Sequence, residues 1–319
     1  MGSGRRVADG SVAGVTPERV RAIRHGLLVA GLAVLVTILV RAWLSASDAS
    51  AGEAYDARAY WEATRGEPYA RPVLGAPVAY YYSPVFLQVF APLLTLPFPA
   101  FLAAWYALNA AALVVVARVW LPVALLTGFV AIELMRGNIE TLMALALVAG
   151  FRWPAAWAFI LLTKVTPGVG LLWFVGRREW RNLAIAVGAT VAIALVSFLV
   201  APGMWLEWAR ALVGNAGVNI DWPFFPVPLA IRLPVAAALA LFAGMRGWRW
   251  LVPVASTLAM PALWPVNLTL LVAIFPLLPS SFRAPSVAVS SDGPKGSDGS
   301  APASVGSGEM DRRQSLETA

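Results

Sequence analysis

Apolar runs recur along this chain from residue 26 to residue 279, separated only by short polar or arginine-bearing breaks. A helix that crosses a bilayer core about 30 Å thick needs roughly 20 such residues, with every backbone group satisfied inside the segment. The chain has 59% hydrophobic and 13% charged residues and a mean hydropathy of +0.72, which is too apolar for a soluble domain of 319 residues. A polytopic all-α bundle in a membrane is the fold class that follows.

The first run, Gly26 to Leu44, follows a polar segment, residues 1–25, that carries Arg5, Arg6, Arg19, Arg21 and Arg24. Its length exceeds the apolar region of a cleaved signal, and the positive-inside bias puts residues 1–25 in the cytoplasm. Further segments near 84–97, 98–118, 121–135, 138–151, 154–175, 182–200, 227–245, 249–264 and 266–279 raise the expected total to about ten spans, several of them short. On that count residues 26–279 form one membrane domain, with loops 45–82 and 201–226 outside and the arginine clusters at 176–181 and 245–250 in the cytoplasm. The setting is a plasma membrane, crossed many times. From residue 280 to 319 Ser, Gly, Pro and Ala dominate, a composition that cannot bury enough apolar surface to offset chain entropy.

The formal charge of +7 sits in clusters beside apolar runs, as topology requires, and does not point to nucleic acid. There are no cysteines and the single histidine, His25, lies in the N-terminal segment. Cysteine or multi-histidine metal sites are therefore absent by count, and no metal or cofactor is expected. Any chemistry falls to carboxylates, lysine and arginine.

In the loop 45–82, carboxylates alternate with aromatic rings, in YDARAYWEATRGEPYA at 55–70 and VAYYYSP at 78–84. Aromatic faces stack on sugar rings, and a carboxylate accepts the proton of an attacking hydroxyl. Asp56 and Glu62 are the two candidate bases, although a plain aromatic belt at the interface has the same composition. Deeper in the chain, Lys164 lies ten residues from both Pro154 and Phe174, about 15 Å from either end if the helix is continuous. An unpaired charge there is costly, so Lys164 is either functional or paired to Glu133 or Glu140. The break ELMRGNIE at 133–140 carries Arg136 and Asn138 around Gly137, where freed backbone groups beside Arg136 suit a phosphate. A simple turn suits the break equally. An intramembrane lysine beside Pro167 also fits a secondary transporter, and a non-catalytic scaffold is a third reading.

At these residues the chain resembles glycosyltransferase family 87, polyprenyl-phosphate-dependent α-mannosyltransferases of the GT-C class, over roughly residues 26–280. The resemblance rests on Asp56, Tyr60, Gly66 and Tyr69 in the first loop, then Tyr82 and Pro84. Gly137, Asn138 and Glu140 follow, then Lys164 and Pro167. It implies a GT-C-like fold and an inverting transfer of a hexose from polyprenyl phosphate to a lipid or glycan hydroxyl, on the extracytoplasmic face. It aligns Asp56 with the general base, and, taken with the residue-level reading, Tyr60, Glu62, Tyr69, Tyr82, Arg136, Asn138, Lys164 and Trp264 are expected around the substrates. Family members are usually longer and carry one or two histidines after the C-terminal tryptophan. Here Trp264 is followed by Val266 and Asn267.

Overall fold

The computed structural model describes residues 16–47, 54–69, 79–215, 225 and 227–279. Residues 1–15 and the segment 280–319, expected to be a disordered tail, lie outside it. Among the described residues all regular structure is helical.

Helix α1 (Pro17–Ser47) leads to the short α2 (Tyr55–Glu62), and α3 (Pro84–Leu94) turns into α4 (Phe98–Ala117). A 3-10 turn continues α4 into α5 (Leu121–Leu126), followed by α6 (Phe129–Arg136), α7 (Glu140–Gly150), α8 (Trp157–Thr163) and α9 (Leu172–Arg177). The remainder comprises α10 (Trp180–Val200), α11 (Pro202–Gly214), α12 (Leu229–Arg246), α13 (Leu251–Leu258), a 3-10 helix over Pro265–Ala273 and α14 (Ile274–Leu277).

Among the described residues four helices are long and apolar enough to cross a membrane: Glu18–Ala46, Phe98–Leu126, Trp180–Val200 and Leu229–Arg246. The count of about ten spans is not reached among the described residues on that criterion. The segment expected at 98–118 and the first part of that expected at 121–135 form one continuous span, Phe98–Leu126, whereas 154–175, 249–264 and 266–279 are short pieces. Proline is the common cause, since it lacks an N–H and clashes with the preceding turn. Pro154, Pro167 and Pro265 each open a new piece. Lys164 is consequently not the middle of a helix. It ends α8 in an extended conformation (φ −135°, ψ 113°), so the 15 Å argument from both ends does not hold.

The outer surface is that of a membrane protein. Along α10 only Ala186 and Ser197 are buried, and Leu199 and Val200 are more than 70% exposed. Inside, Trp105, Trp157, Phe101 and Phe174 are fully buried. Without a hydrophobic drive between helices in lipid, close backbone approach at small residues supplies the contact. At the α9–α12 crossing a Cβ on Gly176 would stand 2.4 Å from the Leu241 carbonyl, and one on Gly244 2.3 Å from that of Trp173. Neither position has room for a side chain.

Candidate active site

Helix α2 is fixed at both ends. Ala54 N–H, at the α2 N-cap, donates to the Met135 carbonyl at 2.8 Å, in a left-handed conformation (φ 56°) that a non-glycine residue seldom adopts. At the other end Trp61 Nε1 donates to Leu96 O at 2.8 Å, while Arg65 donates to Leu94 O and Leu96 O. Arg65 also lies 3.4 Å from the Trp61 ring centroid. These donors satisfy carbonyls that the end of α3 leaves open. The loop helix is thereby held against the α6–α7 break.

That break is closed. Gly137 takes a left-handed C-cap (φ 66°), and both Gly137 N–H and Asn138 N–H donate to Glu133 O. Ile139 N–H donates to Asn138 Oδ1 at 2.7 Å, and Glu140 N–H to Glu133 Oε1 at 2.6 Å. The expected free backbone donors for a phosphate are thus occupied within the turn, which corrects that reading. Trp105 Nε1 on Gly137 O (2.7 Å) and Tyr106 Oη on Met135 O (3.1 Å) pin the turn to α4.

Asp56 stands in the first turn of α2, where an anion meets the positive helix end. Its Oδ2 is buried and has no hydrogen-bond partner among the described residues. Burial raises its carboxyl to about 6, against the opposing pull of Arg136 and then Lys164, with Glu140 adding to the rise. One turn on, Tyr60 donates to Asn138 Oδ1 at 3.0 Å and shares a 3.0 Å hydroxyl contact with Tyr82. Tyr69 donates to the Tyr82 carbonyl at 2.9 Å. The rings of Tyr60 and Tyr82 both lie 5.0 Å from Phe86, making an aromatic wall beside the carboxylate.

Lys164 pairs with Glu140 Oε1 and lies 5.9 Å from the Tyr82 ring centroid. The alternative in which an acid partners this lysine is the one found, and the acid is Glu140. Arg136 has its guanidinium 5.8 Å from the Tyr55 ring and forms no ion pair among the described residues.

Glu62 is not part of this cluster. It faces Arg58 at 3.9 Å with 41% of its side chain exposed. Trp264 enters through its backbone, donating to Asn267 Oδ1 at 2.8 Å, while Asn267 Nδ2 donates to Glu140 Oε1 at 2.6 Å. Asn267 is the residue that sequence reasoning passed over. Its signal was present, an amide inside an apolar segment, where polar groups seek partners.

Residues 80–286 match the sequence model of glycosyltransferase family 87, which is more than half of the chain. The chain belongs to glycosyltransferase family 87. No curated protein and no solved structure matches it. As a family 87 member it is a membrane glycosyltransferase rather than a transporter. The match takes in Tyr82, Arg136, Asn138, Glu140, Lys164 and Trp264 and begins after Asp56, Tyr60 and Tyr69. The hydrogen bonds of Tyr60 to Asn138 and of Tyr69 to Tyr82 nevertheless join that preceding loop to the matched region.

Proposed function

We propose that this family 87 enzyme moves a hexose, mannose by the family resemblance, from a polyprenyl phosphate to a lipid or glycan hydroxyl with inversion. The transfer takes place on the extracytoplasmic face of the plasma membrane. The observation that carries this reading is the buried Oδ2 of Asp56, unpartnered among the described residues, beside an aromatic wall and an Arg136 that forms no ion pair among them.

In this reading the acceptor hydroxyl gives its proton to Asp56 as its oxygen bonds to the anomeric carbon. The bond from that carbon to the phosphate oxygen breaks on the opposite side, and polyprenyl phosphate leaves with one more negative charge. Arg136 compensates that charge, since a cation held out of water is most effective where charge develops. Lys164 is already neutralised by Glu140, so it holds the site together rather than receiving the phosphate. Tyr82 keeps a partly exposed ring for the sugars, and the buried Tyr60 and Tyr69 hold it through its hydroxyl and its carbonyl, with Asn138 fixing Tyr60.

Transfer of labelled hexose from polyprenyl phosphate in membranes holding matched amounts of protein tests the assignment. Asp56→Asn should lower transfer by about 10²-fold or more. Near wild-type turnover by that variant would remove the proposed base.

A further inference from the structure

Glu140 is completely buried, and among the described residues one of its two carboxylate oxygens accepts all of its side-chain hydrogen bonds. Lys164 and Asn267 both donate to Oε1. Oε2 is buried and accepts from nothing among the described residues. Leaving a buried acceptor unsatisfied is costly, and more so for a charged group. Such atoms in native proteins are regularly explained by a ligand or a bound water.

The way Glu140 is held is itself informative. Both lone pairs of Oε1 are used, one by Lys164 and one by Asn267, so the acceptor capacity still open on this carboxylate is on Oε2. Asn267 comes from the other end of the chain to make that contact, and its own Oδ1 is locked by Trp264 N–H. Glu140 also opens α7 directly after the turn that Tyr60 grips through Asn138. Its partner Lys164 lies 5.9 Å from the ring of Tyr82, whose hydroxyl meets that of Tyr60 one turn from Asp56, so the two carboxylates share one cluster while differing in their partners. Asp56 has no donor on Oδ2, whereas Glu140 has one oxygen tied twice and one left open.

We infer that Glu140 Oε2 accepts a hydrogen bond from a ring hydroxyl of the transferred hexose, with Asn267 as the positioning residue that turns this oxygen toward the sugar. The inference rests on the glycosyl-transfer reading above and adds to it the contact that selects the sugar. A site built to pair with a hydroxyl discriminates strongly against an analogue lacking it, because the protein group is then left unpaired. No bond is made or broken at Glu140.

The test is a double-mutant cycle between Glu140 and the sugar. Binding of polyprenyl-phosphate hexose and its monodeoxy analogues is followed by tryptophan fluorescence in the Asp56→Asn background, which needs no turnover. Glu140→Gln should weaken binding of the intact donor by roughly tenfold or more, yet change binding of one particular deoxy analogue by less than about threefold. Asn267→Ala should lose most of the same selectivity for that one hydroxyl.

An equal loss across the whole deoxy series would show that Glu140 only maintains the Lys164 pair, and would overturn the inference. Absence of donor binding by the parent protein would overturn it as well. Donor binding with the selective pattern, combined with no transfer by wild type, would instead sink the transfer reading and leave the hydroxyl contact standing.

Discussion

A methyl group on Gly137 would stand 2.7 Å from the Cβ of Ala57, closer than two carbon atoms can approach without displacement. The turn that carries Asn138 and Glu140 and the helix that carries Asp56 therefore meet at a point with no slack. Gly137→Ala should lower turnover at least tenfold and destabilise the protein by about 1–2 kcal/mol for the left-handed backbone alone. Adding Ala57→Gly removes the collision and leaves the backbone cost. The double variant should recover activity without recovering all of the stability, as read by transfer and by thermal unfolding in detergent.

Asp56 and Glu62 separate cleanly in the structure. Asp56→Asn is expected to cost 10²-fold or more in turnover, the scale of a lost general base. Glu62→Gln, which only disturbs an exposed pair with Arg58, should stay within tenfold of wild type. Equal losses in the two variants would mean that the carboxylates act together and that Asp56 has no special place.

The raised carboxyl of Asp56 sets a pH dependence. A base must be ionised, so turnover should fall as pH drops through about 6 rather than near the ordinary 3.8. Stability runs the other way. With the folded value above the unfolded one, Asp56 favours the folded state below pH 3.8 and loses that contribution as pH rises through about 6. Asp56→Asn should accordingly stabilise the protein more at pH 7.5 than at pH 4, in a melting experiment that needs no substrate.

Arg136 provides the largest opposing pull on that carboxyl. Arg136→Gln should move the acid limb of the pH profile upward and lower turnover, because the same charge is assigned to the leaving phosphate. Unchanged limb position in the variant would detach Arg136 from Asp56.

Arg232 is 6% exposed and donates to the carbonyls of Val227, Leu258, Met260 and Pro261. It ties the end of α13 and the bend before Trp264 to α12. Arg232→Met would strip these carbonyls of their donor, each loss costing about 1–3 kcal/mol where no water replaces it. The expected outcome is a large fall in melting temperature, partly restored by Arg232→Lys.

Much of this was legible in the residues. Apolar runs announced the membrane, and the order of Asp56, Tyr60, Asn138 and Lys164 pointed to the family. The number of spans was not legible, because periodicity does not tell a spanning helix from short pieces that Pro154, Pro167 and Pro265 interrupt. The partner of Lys164 was left between Glu133 and Glu140, since both lie in one turn and only the fold selects. Asn267 is visible as an amide in an apolar segment, but its partner is not. Its contact with Glu140 spans 127 residues, and no local pattern records a pairing at that distance.

That separation has a consequence for biosynthesis. The 3-10 helix over Pro265–Ala273 is almost the last described piece of the chain to leave the ribosome, and it delivers the donor that finishes the setting of Glu140. Until then the polar cluster inside the bundle is incomplete, however many helices have already been inserted. A nascent chain halted before Asn267 would thus hold Glu140 by Lys164 alone, with its carboxylate short of one donor in an apolar setting.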